Sequence, residues 1–289
     1  MIKFFADSTM DISPEDVKKY DITLVPITVI LGDTPYKDGY ELNPEKIYDY
    51  VKETGNLPKT SACNAETYKE YWQPALDRGD EIIHFSFSGD MSTSCAAATT
   101  AAGELDGVSV IDTKNLSTGS GLLLMYACDL REAGETKEEI VRKVSSRVPS
   151  VQASFIIDKL NYLYKGGRCS GVALFAATAL NLKPCIKVKD GKMIVGKKYM
   201  GRLGGVLEKY VNDILNEFDN PDYTRIFVTH TKFPPELVEA VKARLKQTPF
   251  KEIIETTASC TITSHCGPNT LGILLSLIHI SEPTRLRCI

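Results

Sequence analysis

The sequence predicts an α/β protein in two domains: an N-terminal, mainly parallel α/β/α sheet domain over residues 1–150, then a smaller α+β domain with an antiparallel sheet over residues 151–274. Three observations predict this. Apolar strand-like runs alternate with amphipathic helical runs through the first half, the pattern of a parallel sheet covered by helices. Past Val148-Pro149-Ser150 the pattern changes, and Asp190-Gly191 stands between Cys185–Lys189 and Lys192–Val195 as a two-residue hairpin turn. The length, 289 residues, suits one large or two ordinary domains.

The elements follow in order. Ile2–Ala6 reads as a strand running into the polar turn Asp7-Ser8-Thr9-Met10-Asp11. Ser13-Pro14-Glu15-Asp16 combines an N-cap, a first-turn proline and acidic residues. Ile22–Ile30 is an apolar strand. Asn43-Pro44 opens a helix with Ile47, Tyr48 and Val51 on one face, and Asn64 caps another carrying Tyr68, Tyr71 and Trp72. Glu81–Phe87 and Val108–Asp112 are strands, the second followed by Asn115-Leu-Ser-Thr-Gly-Ser-Gly121 and an apolar helix. Thr136-Lys-Glu-Glu139 has the spacing of a capping box. In the second domain Ser154–Ile157, Arg225–His230 and Glu252–Thr257 read as strands, and Gly204–Phe218 and Pro234–Thr248 as amphipathic helices.

Net charge is −3, which favours neither nucleic acid nor an anionic membrane surface as partner. No apolar run approaches the ~20 residues of a membrane span. The start, Met1-Ile-Lys-Phe-Phe-Ala-Asp7, runs straight into a strand without a leader pattern, and a cytoplasmic protein is expected. Eight scattered cysteines form no C-x-x-C pair, so neither a metal centre nor a dithiol centre is expected. Residues 275–289 resemble the translation of a sequencing adapter; they are expected to be foreign to the fold and to pack poorly or along an edge. His279 and Cys288 are set aside with them.

The densest chemical signal is Glu81-Ile-Ile-His-Phe-Ser-Phe-Ser-Gly-Asp-Met-Ser-Thr-Ser94 before the small-residue run Cys95–Ala102. A strand, a hydroxyl-rich loop and a helix start place free N–H groups and Ser92, Thr93 and Ser94 where α/β sheets bind ligands. The site suits an anionic head group, while a capped helix without a ligand is the plainer alternative. Asp7-Ser8-Thr9, Thr60-Ser61 and Asn115–Gly121 are further hydroxyl-rich segments expected at the same sheet edge, as one pocket mouth. His265, in a hydroxyl-rich turn, is a candidate base, anion donor or merely satisfied histidine. A Ser92–His265 pair would allow acyl hydrolase or acyltransferase chemistry, although G-x-S-x-G and an acidic orienter are lacking. Lys165-Gly-Gly-Arg168 lacks the spacing of a phosphate loop and reads either as a solvated pair or as a docking patch for a partner.

Taken together these segments resemble the DegV family of fatty-acid-binding proteins over residues 1 to about 274. The resemblance rests on Asp7-Ser8, Thr60-Ser61, Met91-Ser92-Thr93, Asp112 with Ser117 and Gly121, and Asp158-Lys-Leu-x-Tyr-Leu-x-Lys-Gly-Gly-Arg168. It continues through Leu182-Lys-Pro184, Asp190-Gly191, Gly201-Arg202 and His265-x-Gly-Pro268. It implies one long-chain fatty acid in a buried apolar tunnel, with Thr60, Ser92 and His265 at the carboxylate and Ser61, Thr93 and Ser117 at the pocket mouth. It also implies a separate fatty acid kinase that makes acyl phosphate on the bound ligand, with Arg168 and Arg202 in docking or transfer. No cofactor is expected, and the chain is expected to be a carrier rather than an enzyme. His265 is then expected to place a positive charge rather than to activate a serine. Two departures stand out: Met-Ser-Thr-Ser-Cys95 where the family has Leu-Ser-Gly-Thr-Tyr, and His-Cys-Gly-Pro-Asn269 where it has His-Thr-Gly-Pro-Gly.

Overall fold

A computed structural model describes residues 1–170 and 182–278. In chain order the first half contains β1 (Ile2–Asp7), α1 (Pro14–Lys19), β2 (Ile22–Val25), β3 (Thr28–Leu31), β4 (Thr34–Lys37), α2 (Pro44–Thr54), β5 (Lys59–Ser61), α3 (Ala65–Leu76) and β6 (Glu81–Ser86). It continues with α4 (Ser94–Ala102), β7 (Val108–Asp112), α5 (Ser117–Glu132) and α6 (Lys137–Arg147). The second half contains β8 (Val151–Ile156), α7 (Leu160–Gly166), β9 (Cys169–Ser170), β10 (Leu182–Lys189), β11 (Lys192–Met200) and α8 (Leu203–Glu217). It ends with β12 (Pro221–His230), α9 (Pro235–Leu245), β13 (Glu252–Thr257), α10 (Cys260–Cys266) and β14 (Leu271–Leu277).

A parallel sheet of order β2-β1-β6-β7 forms the first core. Alternation along its strands sends side chains to two helical layers. His84 meets Tyr68 and Trp72 of α3 on one face. Phe4 and Phe85, packed edge to face, point the other way, where Arg131 of α5 covers the Phe4 ring. The fold is therefore the expected mixed α/β one.

The strand expected over Ile22–Ile30 is split. Pro26 has no N–H for the ladder. The chain leaves the sheet after Val25, and Ile27 instead donates its N–H to Ser8 Oγ at 3.1 Å. The remainder, β3, builds a small antiparallel sheet of order β4-β3-β5 that the sequence reading did not foresee. It places Thr60 opposite Val29.

The second sheet has order β13-β12-β14-β8-β10-β11-β9 and is mainly antiparallel, with parallel pairs β12–β13 and β11–β9. Asp190 and Gly191 close the β10–β11 hairpin with φ of 50° and 81°, the two positive values of a type I′ turn. One face of this sheet carries α8 and α9 on a core that includes Tyr210, Val228 and Ile273. The other face meets α5, and Phe155, Phe227 and Leu274 join the core of the first sheet. Helix α5 thus lies between two sheets, and that explains why Leu122–Met125 are buried all around the helix.

Strand β14 corrects the expectation for the tail. Leu275, Ser276 and Leu277 pair with β8 and β12 in the interior of the sheet, and Leu275 is buried. These three residues therefore do not pack poorly or along an edge, as was expected of residues 275–289. Residues 279–289, with His279 and Cys288, lie outside the described residues. Among the described residues the seven cysteines are buried and none forms a disulfide.

Candidate functional site

The site is assembled from three segments far apart in sequence. The first is the loop between β6 and α4. Ser94 donates its N–H to Ser92 Oγ at 3.1 Å, and Ser92 Oγ in turn donates to Ser94 Oγ at 3.1 Å. Thr93, at the position where the family motif has glycine, adopts φ −79° and ψ −3°. That right-handed conformation is open to any residue, so threonine costs no backbone strain here. The second segment is β5 and the turn after it. Cys63 donates its N–H to Ser94 Oγ at 3.3 Å, which ties the turn to the first loop.

The third segment is α10, a helix where the sequence suggested a turn. Its first residues are gripped by two carboxylates from the N-terminal half. Asp38 accepts from the N–H of Cys260 at 2.9 Å and of Thr261 at 3.0 Å, while Asp11 accepts from Ser259 N–H at 2.8 Å. These N–H groups have no partner within the helix, so each needs an acceptor from outside it. The clasp fixes the rotation and height of α10 and so delivers Thr261 and His265, one turn apart, to the same cavity.

His265 Nε2 shares a hydrogen bond of 2.9 Å with Thr60 Oγ1. Its Nδ1 side lies against Gly166 of α7, where an added Cβ would come within 2.5 Å of Nδ1. Any side chain at 166 would displace the ring. Burial pushes the His265 pKa down to about 4, and the nearby Arg168 guanidinium adds to the effect. The ring is therefore neutral at pH 7, which corrects the expectation that it supplies a positive charge.

A cavity of about 940 Å³ joins the three segments. Thr60, Ser61, Ser92, Thr93, His265 and Arg168 all line it, as does Thr9. Its apolar wall includes Ile27, Phe87, Met91, Leu163, Met193 and Ile262. Met193 comes from the β10–β11 hairpin, whose tip is docked on the first loop: Ser88 Oγ donates to Gly191 O at 2.7 Å. A Cβ on Gly191 would lie 2.6 Å from Asp90 Oδ2, so this close seating needs glycine.

Not every candidate belongs to the cavity. Ser117 does not line it. It lies at the buried start of α5, φ 52°, with its hydroxyl bonded to Asp11. Gly119 and Gly121 in the segment Asn115–Gly121 leave no room for a side chain. A Cβ on Gly119 would lie 2.1 Å from Asn115 Oδ1 and 3.2 Å from the Ala153 side chain, and one on Gly121 3.2 Å from the Met10 carbonyl. Asp7 and Ser8 are also internal. Asp7 accepts from Tyr68 Oη, Ser86 Oγ and Phe87 N–H, and Ser8 Oγ donates to Asp38. Arg202 precedes α8 on the second sheet, is exposed, and lines none of the cavity.

Ser92 and His265 share the cavity without a mutual hydrogen bond, since each is bonded elsewhere. Among the described residues no carboxylate orients His265, whose Nδ1 faces Gly166. The two groups are thus not arranged as a nucleophile and base. No site role was expected of Asp38, Gly166 or Gly191, although Lys165-Gly-Gly-Arg168 and Asp190-Gly191 stand out in the sequence. Asp38-Gly39 looks like turn chemistry, and nothing local says that its carboxylate reaches a helix more than 200 residues away.

A family model described as an uncharacterised protein of the DegV family matches residues 1–277. The chain belongs to the DegV family. A DegV domain-containing protein of Caldanaerobacter subterraneus is 29% identical over 276 residues, covering 94% of this chain and 97% of that one. A fatty acid-binding protein of Thermotoga maritima is 27% identical, covering 96% and 98%. Among solved structures, a DegV protein of Thermus thermophilus described for its fatty acid binding superposes with TM-score 0.87 at 26% identity, covering 96% of this chain and 99% of that one. A stearic acid-binding protein of Eubacterium ventriosum gives TM-score 0.84 at 25% identity, with coverage of 96% and 98%. No described helix is long and apolar enough to cross a membrane.

Proposed function

We propose that this DegV protein binds one long-chain fatty acid, with the tail in the 940 Å³ cavity and the carboxylate at Thr60, Ser92 and His265, and presents it to a separate kinase. The observation that carries the reading is the convergence of these three residues on one cavity with an apolar wall. The relatives described as fatty acid-binding proteins add to it. Burying ~15 methylenes at ~0.8 kcal/mol each provides about 12 kcal/mol before ordering costs. With that tail contribution, neutral donors suffice at the head. In the kinase step a carboxylate oxygen bonds to the terminal phosphorus of a nucleoside triphosphate as the bond to the departing diphosphate breaks. A carboxylate held by hydroxyls and a neutral imidazole keeps its electron density for that attack better than one in a salt bridge. Arg168 on the cavity and Arg202 on the outer sheet serve docking or transfer.

The experiment is mass spectrometry of ligand extracted from purified protein, with palmitate titration of wild type, Thr60→Val and Ser92→Ala. We expect a long-chain fatty acid in the extract and a loss of about 1 kcal/mol of binding, roughly fivefold, per hydroxyl removed. An extract without acyl chains, or variants that bind palmitate unchanged, would overturn the assignment. Acyl phosphate should appear only when a kinase and ATP are added. Formation of free acid from an acyl ester by the protein alone would favour the hydrolase.

A further inference from the structure

Two hydroxyls in the wall of the fatty acid cavity are buried without a partner. Thr9 is 1% exposed and Thr261 is 6% exposed, and both residues line the cavity. Among the described residues theirs are the two fully buried hydroxyls that make no hydrogen bond. The head-group hydroxyls differ, since Thr60 Oγ1 is bonded to His265 and Ser92 Oγ to Ser94. So do hydroxyls of the core: Ser86 is bonded to Asp7, Thr113 to the Ser86 carbonyl and Thr118 to Thr229. A buried hydroxyl is ordinarily paired, because leaving it unpaired forfeits its hydration for nothing. Here both exceptions border the same open space.

The two residues belong to segments held by one atom. Asp38 Oδ2 accepts from Ser8 Oγ at 3.2 Å and from the Thr261 N–H at 3.0 Å. The turn that carries Thr9 is thereby fastened to the first turn of α10. Asp11 fastens the same segments again through the Ser259 N–H. Thr261 lies four residues before His265 on one face of α10, ~6 Å along the axis, which is roughly five bonds of an extended alkyl chain. Thr60 and Ser92 are half-buried and Thr93 is exposed, so Thr9 and Thr261 lie deeper than the head group. Ile27 and Ile262 line the cavity with them.

A chain made only of methylenes would seal both hydroxyls against carbon. An oxygen at that depth would satisfy them. A hydroxyl on the chain donates to one and accepts from the other, and an oxo group accepts from both. We propose that Thr9 and Thr261 form a second polar subsite, and that the ligand is an oxygenated fatty acid with a hydroxyl or oxo group near its sixth carbon. The inference rests on the fatty acid reading and narrows it. Thr60, Ser92 and His265 hold the carboxylate, Thr9 and Thr261 hold the chain oxygen, and the spacing between the two polar points selects where that oxygen stands.

The test is calorimetric titration with three probes: palmitate, palmitate hydroxylated on its sixth carbon, and palmitate hydroxylated on its last carbon. Wild type should bind the sixth-carbon alcohol at least about fivefold more tightly than palmitate, and the terminal alcohol no more tightly than palmitate. The double variant Thr9→Val/Thr261→Val keeps the shape of both side chains and breaks no hydrogen bond made by either hydroxyl. It should reverse the order, with palmitate gaining affinity and the sixth-carbon alcohol losing at least about fivefold. Thr9→Ser/Thr261→Ser retains both hydroxyls and should keep the wild-type order. A wild type with no preference for the sixth-carbon alcohol would overturn the subsite, and so would a preference that survives the valine variant. An equal gain for the terminal alcohol would overturn the selection by position. A tenfold loss of palmitate affinity in the valine variant would mean that these hydroxyls hold the carboxylate, and would overturn the subsite while leaving the fatty acid reading intact. If wild type binds none of the three acids, the fatty acid reading fails and the subsite with it.

Discussion

Two helix starts in this protein look alike in sequence and have opposite fates. Both α4 and α5 follow a strand of the parallel sheet through a loop rich in serine, threonine and glycine. At α4, Ser92 and Thr93 line the ligand cavity. At α5, Ser117 and Thr118 are buried between sheets, Ser117 bonded to Asp11 and Thr118 to Thr229 at 2.5 Å. The difference lies in what packs across from each. Small residues at α5 let the second sheet approach, whereas the loop before α4 faces the gap bounded by β5 and α10. Hydroxyls after a strand therefore mark a sheet edge without saying whether it opens to a ligand. Glycines inside the first helical turns, as at 119 and 121, are the better sign of close packing.

The largest effect should come from filling the packed start. Gly121→Val must push against the Met10 carbonyl, already 3.2 Å from where its Cβ would stand. We expect a loss of about 3 kcal/mol of stability, seen as a lower urea midpoint. Thr93→Val at the open start should change stability by less than about 0.5 kcal/mol. Equal losses at the two positions would break the comparison.

Asp38→Ala tests how the two regions are joined. It removes the acceptor for Cys260 and Thr261 N–H and for Ser8 Oγ, all buried. We expect about 2 kcal/mol of destabilisation, from the lost cap and the unpaired donors. Ligand affinity should fall as well, because α10 carries His265. Asp38→Asn keeps one acceptor oxygen and should recover part of both. If affinity is unchanged in Asp38→Ala protein that is still folded, α10 does not depend on this clasp for its position.

Much of this was readable from local chemistry. Asn43, Asn64 and Thr136 cap the helices expected of them, and Asp190-Gly191 makes the expected hairpin. Thr9, Thr60, Ser61, Ser92 and Thr93 meet at one cavity as a shared pocket mouth requires. What was not readable depends on distant partners. Ser117 has the same neighbours in sequence that a ligand-binding serine has, and only Asp11 reaching it from the β1 side shows its use. The charge state of His265 is likewise a property of its burial between Gly166, Thr60 and Arg168, and no residue beside it in sequence announces it. The end of Leu271–Leu277 resembles foreign sequence, yet its register with β8 runs unbroken from Leu271 to Ser276.

The finest test of the comparison is the pH dependence of stability, since the two regions titrate in opposite senses. Asp11, buried at the α5 start, has its pKa raised to about 7 by loss of solvation, against hydrogen bonds from Ser117 and Ser259 that lower it. The folded protein then binds more protons than the unfolded chain between about pH 4 and 7, so this group's contribution is full below pH 4 and is lost as pH rises to 7. His265, on the cavity, has its pKa lowered from 6.5 to about 4, chiefly by burial. There the unfolded chain binds more protons, and the contribution is full above pH 6.5 and lost as pH falls towards 4. The two slopes oppose each other over nearly the same window, so together they add little net slope to wild type. Single variants expose them. Asn at 11 imitates the protonated acid and tolerates the left-handed backbone there, φ 52°. Relative to wild type, Asp11→Asn should therefore gain stability from pH 4 to 7, and His265→Gln should lose it over the same interval. Urea midpoints at half-unit steps of pH measure both. Two difference curves of the same sign would mean that the buried helix start and the cavity wall are not the electrostatic opposites described.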